Sequence, residues 1–292
     1  MINFDIEYNR LLNVFNGYLE QKFNNLEKSA PNTIKEAMKY AVLDGGKRIR
    51  PILCLAFAEA FGIPLERVLD YALAIECIHS YSLVHDDLPC MDNDDYRRGK
   101  LSTHKKFGQA MGVLAGDALL NFAFEVCLSK EKFFDSDYKA MRVIAESAGY
   151  NGMIAGQVLD LENEKSNQIS EEILYKIFDN KTAKLILAPI MVVSCFIDST
   201  FAPIMREFGY NLGVLFQIED DILDVEGDIS VIGKTPNKDS AVDKLTSVKL
   251  LGLNGAKERA DLHYERCINA LSTLPNNEFL LLLTKKMHNR KK

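Results

Sequence analysis

The amino-acid sequence predicts an all-α fold on three observations. Apolar residues recur at steps of three and four along most of the chain, alternating strand patterns are scarce, and the breaks between apolar segments fall at Gly, Pro or polar residues. No linker-like stretch divides the chain, so residues 1–292 are expected to form a single-domain bundle of roughly ten or more helices.

Taken in order, Leu12, Phe15, Leu19, Phe23 and Leu26 mark a first amphipathic helix, which Pro31 and Asn32 interrupt. Thr33 with Glu36 fits a capping box for a second helix running into DGGKRIRPIL. Gly45 and Gly46 suit the end of that helix, and Pro51 suits the first turn of the next. Pro64 is placed to start another helix. Leu65 to Leu88 contains no Gly and no further Pro, so about 24 residues could run for ~36 Å. Val68, Leu69, Ala72, Leu73, Ala74, Ile75, Cys77 and Ile78 occupy nearly every face of it, which puts this helix in the middle of the bundle. Its charged C-terminal end is then delivered to one mouth of the structure.

Helical spacing continues through Ala110–Leu128, Tyr138–Leu161, Ile173–Ile197 and Ile204–Leu223. The polar, lysine-bearing stretch Gly227–Thr246 is the least helical and is a candidate flap. The basic tail KKMHNRKK is expected to be a frayed, solvated end.

Composition narrows the function classes. With 47% hydrophobic and 26% charged residues the chain reads as soluble and globular, not disordered. MINFDIEYNRLL lacks the basic start and apolar core of a signal peptide, so a cytoplasmic location is expected. The longest apolar run, Leu185–Ile197, falls short of the roughly 20 residues of a membrane span and contains Pro189; it reads as a buried helix. The six cysteines are scattered without a CxxC pair, which argues for reduced core thiols. A net charge of −6 makes a nucleic-acid binder improbable, so any anionic ligand must be held by local basic groups or by metal.

Two acidic clusters stand out. In HSYSLVHDDLPCMDNDDYRRGKLSTH an apolar run delivers Asp86, Asp87 and Asp92, followed by Arg97 and Arg98. Like carboxylates one turn apart repel by roughly 0.2–0.5 kcal/mol per pair, so a divalent cation is the natural partner. Asp86 and Asp92 lie about 120° from alignment on a straight helix, and Pro89 predicts a bulge or break near Leu88–Met91 that swings Asp92 back beside Asp86. FQIEDDILD repeats the logic: Asp220 and Asp224 share a helix face with Asp221 between them, among the apolar Phe216, Ile218, Ile222 and Leu223. A solvated acidic face is the alternative reading of each cluster.

With DDLPCMD, FQIEDDILD, GGKRIRP and DDYRRG in this order, the stretch from Asp44 to Gly252 resembles the trans-isoprenyl diphosphate synthase family, most closely its bacterial farnesyl diphosphate synthases. The resemblance implies the isoprenoid synthase fold, helices around a deep central cavity with both acid motifs at its mouth, in a homodimer. It implies that Asp86, Asp87, Asp92, Asp220, Asp221 and Asp224 hold Mg²⁺, about three ions per site with diphosphate bound. Arg97, Lys181 and Lys234 would contact the allylic diphosphate, and Lys47, Arg50, His79 and Arg98 that of isopentenyl diphosphate. Thr182 and Gln217 would face the developing cation, with Phe216 and Gln157 lining the cavity. Asn180 and Ala183 depart from the family's pattern, where His and Gly are usual.

The implied reaction condenses isopentenyl diphosphate head to tail with dimethylallyl and then geranyl diphosphate. Ser82 and Tyr81 sit four and five residues before Asp86, roughly 6–7.5 Å below it on a helix. In this family a Tyr at that place goes with a farnesyl-length, C15 product; geranylgeranyl diphosphate is the second expectation. A di-metal oxidase or metal-storage bundle is a remote rival, since Glu76 and His79 form a Glu-x-x-His pair, but no second such pair exists. His85 is expected to pack and not to titrate.

Overall fold

Four-residue steps make Leu11, Phe15, Leu19 and Phe23 one fully buried stripe of helix α1, Phe4–Asn24, in the computed structural model, which describes residues 2–43, 45–163, 170–226 and 245–290. Leu12 only flanks this stripe, and Leu26 lies past the helix end. Helix α2 is Asn32–Leu43. The Pro31 carbonyl already accepts from Lys35 N–H at 3.4 Å, so Thr33 lies inside the first turn and the expected Thr33–Glu36 capping box does not start the helix. After it Gly45 and Gly46 take φ of 85° and 114°, a region open to glycine but strained for other residues, and helix α3 follows at Ile49–Ala60 with Pro51 in its first turn.

The central helix, α4, is Leu69–Asp86. At 18 residues, or about 27 Å, it is shorter than expected at both ends. Leu65–Arg67 form a separate 3₁₀ turn, with the Pro64 carbonyl accepting from Arg67 N–H at 3.0 Å, and Val68 at φ −116° breaks the two apart. Its all-round apolarity has the expected consequence: Ala72, Leu73, Ala74, Ile75, Cys77 and Ile78 are all fully buried.

A two-stranded antiparallel hairpin that the sequence pattern did not suggest follows the first acid motif. Strands β1, Tyr96–Arg97, and β2, Lys100–Leu101, pair Tyr96 with Leu101 around Arg98 and Gly99, both at positive φ. Helix α5 is Thr103–Phe107 and α6 is Gln109–Leu128, which packs along α4. The helix expected over Tyr138–Leu161 is two, α7 at Asp135–Ala148 and α8 at Met153–Asn163, parted at Gly149–Gly152. The segment expected as Ile173–Ile197 is helix α9, Glu171–Ile177, a π-helical turn, Phe178–Ala183, and α10, Lys184–Ser194, with Pro189 buried inside it. Helix α11 is Ala202–Glu226, α12 is Ser247–Leu271, with a kink at Gly252, and α13 is Glu278–His288.

The all-α expectation therefore holds, and a single hydrophobic cluster runs from α1 to α13 through α4, α10 and α11. As far as Arg290 the tail does not fray as expected. The His288 ring stacks on Tyr264 at 4.5 Å and its nitrogens reach Glu219 Oε1 at 2.8 Å and Asp261 Oδ1 at 3.1 Å, which docks the end of α13 on α11 and α12. Most of the flap candidate, residues 227–244 with Lys234, lies outside the described residues.

One polar node ties α4 to α7. The Asp137 carboxylate, fully buried, accepts from Tyr71 Oη at 2.5 Å, Arg67 Nη2 at 2.8 Å, Lys130 Nζ at 2.9 Å and Phe134 N–H at 2.8 Å. Burial pushes its pKa up, but the hydrogen bonds from Arg67, Tyr71, Phe134 and Lys130 outweigh this and hold it well below the usual carboxylate range. A pKa lowered on folding contributes stability that is present above the unfolded value, about 3.9, and is lost as pH falls below it. Asp137→Asn is expected to cost about 1–3 kcal/mol at pH 7 by urea denaturation, because it leaves charged donors short of an acceptor. The cost should shrink as the titration is repeated at lower pH; a constant cost across that range would remove the carboxylate's charge as its origin.

Candidate active site

Helix α4 stops at Asp86, and the chain folds back on its last turn. Asp92 N–H donates to the Asp86 carbonyl at 2.8 Å, Asn93 N–H to Leu88 O at 3.1 Å and Asp94 N–H to Asp87 O at 3.1 Å. The break expected from Pro89 thus comes slightly earlier, at the end of Asp86, and has the expected result of returning Asp92 to Asp86. Asn93, at φ 51°, supplies the left-handed residue that such a reversal needs.

The aspartates of this motif do not share one environment. Asp86 lines a cavity of about 400 Å³. Asp87 is 2% exposed and receives Arg97 through both Nε, at 3.0 Å, and Nη2, a charge-assisted fork.

The second motif divides in the same way, because successive helical residues point 100° apart. On α11 Asp220 lines the same cavity as Asp86 and meets Arg290 Nη2 at 2.6 Å. Asp221 turns inward, accepting from Ser247 N–H at 2.7 Å, Ser247 Oγ at 2.8 Å and Gln217 Nε2 at 3.0 Å. Burial pushes its pKa up to about 7 against the pull of those hydrogen bonds. Asp224 is half-buried one turn beyond Asp220.

The cavity wall opposite α4 comes from α8, the π turn and α11. Its lining includes Lys181, Thr182, Phe216, Gln217 and Gln157, together with Tyr81 and Ser82 on α4 and the apolar Met153, Ile154, Val158 and Leu161 on α8. The π turn's extra residue brings both Lys181 and Thr182 to this surface. It also needs Gly156 of α8, since a Cβ there would come within 2.1 Å of the Lys181 backbone nitrogen. Lys181 Nζ meets Asp160 Oδ2 at 2.5 Å, and the Thr182 hydroxyl donates to Gln217 Oε1 at 2.8 Å. Tyr81 is 6% exposed, and its hydroxyl has no hydrogen-bond partner among the described residues, while Ser82 Oγ donates to the His79 carbonyl at 2.9 Å.

A second cavity of about 460 Å³ adjoins the first through Arg50, His79 and Phe216, which line both. Lys47, Arg48 and Arg98 make it strongly basic. Enclosure and, after it, the fields of Arg50, Arg98, Arg97 and Arg48 keep the His79 pKa well below the usual imidazole value, so His79 is a neutral donor at pH 7. Burial pushes Arg50 down to about 10, which leaves it charged, and its Nε lacks a hydrogen-bond partner among the described residues. A buried, charged donor without an acceptor marks a place for an anion. Lys234 lies outside the described residues. His85 packs its ring edge-on to Tyr81 and sets Nε2 3.0 Å from the Val113 carbonyl.

Three residues of the site were not singled out from sequence. Asp160, which meets Lys181, follows Gln157 by three in GQVLDL and so shares its helix face. Ser247, the partner of Asp221, carries no signal of its own. Arg290 belongs to the tail expected to be solvated; its side chain is 9% exposed, lies 4.2 Å over the Phe216 ring and donates to the Phe216 carbonyl at 2.6 Å.

Known proteins are similar to this chain in both sequence and fold. The chain is 41% identical over 275 residues to the farnesyl diphosphate synthase of Micrococcus luteus, covering 93% of each, and 42% identical over 283 residues to that of Haemophilus influenzae, covering 94% of each. Among solved structures, a geranyltransferase from Helicobacter pylori complexed with magnesium and isoprenyl diphosphate superposes with a TM-score of 0.84 at 34% identity, over 99% of this chain and 96% of that one. The model of the polyprenyl synthetase family matches residues 31–274, and with relatives this similar over nearly their whole length, the chain belongs to that family.

Proposed function

We propose that the chain is a prenyltransferase that condenses isopentenyl diphosphate with dimethylallyl and then geranyl diphosphate to give farnesyl diphosphate. The observation that carries this reading is the pair of adjoining cavities. One has a carboxylate from each acid motif, Asp86 and Asp220, above an apolar lining, and the other is basic. The relatives named farnesyl diphosphate synthase favour the C15 product over geranylgeranyl diphosphate.

The donor set suits Mg²⁺, which takes oxygen ligands and combines one or two carboxylates with phosphate oxygens and water. Asp86 and Asp220 are the carboxylates on the cavity surface and would hold the ion, with Asp92 and Asp224 of the same motifs as further ligands. Bound there, the metal would supply positive charge that neutralises the leaving diphosphate. Lys181 and Arg97 would add positive charge to the same group, each exchanging its present carboxylate partner, Asp160 or Asp87, for phosphate oxygens. As the allylic C–O bond breaks, its electron pair leaves with diphosphate. The π electrons of isopentenyl diphosphate then form the new C–C bond, and a proton is lost to the released diphosphate.

Gln217 Oε1 and Thr182 Oγ1 can stabilise the allylic cation with lone pairs, and the apolar wall excludes the water that would quench it. Arg50, Lys47, Arg98 and neutral His79 would hold the isopentenyl diphosphate, with Lys234 as a further contact to the allylic one. The growing tail runs down the α4 and α8 wall to Tyr81 and Ser82.

A cytoplasmic homodimer of one polyprenyl synthetase domain completes the proposal. Helix α6 is long and apolar enough to cross a membrane by composition alone, yet it packs on α4 and leaves Val113, Leu114 and Leu128 at 41%, 52% and 59% exposure, a face that a second copy can cover.

Purified protein given labelled isopentenyl diphosphate, an allylic starter and Mg²⁺ is expected to release a labelled C15 diphosphate; no transfer to any starter would end this reading. Asp86→Ala and Asp220→Ala should each lower turnover about 10²-fold or more at saturating Mg²⁺, with near-normal turnover in both excluding them as ligands. Tyr81→Ala is expected to lengthen the product, read by chromatography, and an unchanged C15 peak would remove Tyr81 as the cavity floor. Leu114→Glu should shift sedimentation from dimer toward monomer by charging the uncovered face.

A further inference from the structure

Glu76 is the only carboxylate among the described residues lining the basic cavity, and it is 2% exposed. It does not serve a di-metal pair with His79. Its Oε1 accepts from Arg48 Nη1 at 2.7 Å, while Arg48 Nη2 donates to the Val42 carbonyl at 2.5 Å. Arg48 is therefore spent inward, although it stands in GGKRIRP between the two basic residues expected to meet a ligand. Its backbone takes φ 50°, ψ 33°, an uncommon conformation for a side-chain-bearing residue, and the contacts of its guanidinium with Glu76 and the Val42 carbonyl brace it there.

The same turn is braced twice more, by Arg98 Nη1 donating to the Gly45 carbonyl at 2.8 Å and by Tyr8 Oη donating to the Lys47 carbonyl. Arg50 remains the member whose buried Nε has no hydrogen-bond partner among the described residues.

We propose that the buried Arg48–Glu76 pair is a positioning device for the diphosphate of isopentenyl diphosphate: Glu76 anchors Arg48, Arg48 fixes the left-handed turn, and the turn aims Lys47 and Arg50 at the anion. Glu76 also serves as counter-charge to Arg48, Arg50 and Arg98, so the cations of this cavity are not left without an anion among them. This rests on the prenyltransferase reading only for the identity of the anion.

The test is Glu76→Gln, which keeps shape and an acceptor oxygen but removes the charge, beside Glu76→Asp, which keeps the charge but shortens its reach. For Glu76→Gln the KM for isopentenyl diphosphate should rise about tenfold, the scale of losing one charge-assisted hydrogen bond, with the KM for the allylic diphosphate changed less than about twofold. Glu76→Asp should recover part of that loss. Calorimetry with inorganic pyrophosphate in the absence of Mg²⁺ should show the same ranking of the three proteins, whether or not the wild type turns over. Equal rises in both KM values, or a lowered melting temperature with unchanged pyrophosphate affinity, would make the pair merely structural and overturn the inference. A wild type that transfers no prenyl group, with the pyrophosphate ranking preserved, would instead overturn the reaction and leave the positioning role standing.

Discussion

The site depends on one helix whose middle is buried on every face and whose end carries charge. Because Tyr71–Ile78 of α4 are all buried, its orientation is set by packing on every side, and whatever it carries at its C-terminal end is held by the core. Glu76, His79, Tyr81, Ser82 and Asp86 all reach the two cavities from this helix. A helix free on one side could roll, and a carboxylate at its end would move relative to α11. Here the last turn is also closed by Asp92 N–H on the Asp86 carbonyl, so the reversal after the helix is part of the same rigid unit.

Four basic residues around the two cavities meet carboxylates. Arg97 sits on Asp87, Lys181 on Asp160, Arg290 on Asp220 and Arg48 on Glu76. The pairs differ in what a diphosphate and its cations can do to them. Arg48–Glu76 is sealed at about 2% exposure on both side chains and is a fixture. Asp220, at 46% exposure, can exchange a guanidinium for a cation, and Lys181, at 27%, can exchange a carboxylate for phosphate. On the proposed reading, binding would be an exchange of partners, which avoids leaving isolated charges in an apolar surround.

Irregular backbone gathers at the candidate site. The π turn at Phe178–Ala183, the left-handed Arg48 and the hairpin with Arg98 at positive φ each supply side chains that line the two cavities.

Much of the site was legible in the linear order of residues. Apolar spacing marked the helices and Pro89 marked the reversal, because those features depend on local periodicity and residue type, while the two acid motifs with their basic companions marked the chemistry through their resemblance to a known family. Helix ends were less legible: the splits at Gly149–Gly152 and at Val68 depend on which neighbours the chain packs against. What only the tertiary structure decided is partnership. It separates Asp86 and Asp220, on the cavity, from Asp87 and Asp221, which are turned to Arg97 and Ser247, and it brings Arg290 across 70 residues to Asp220. Spacing along a helix tells which way a side chain leaves its own axis, but the group it meets there belongs to another element, and that distance exists only once the chain has packed.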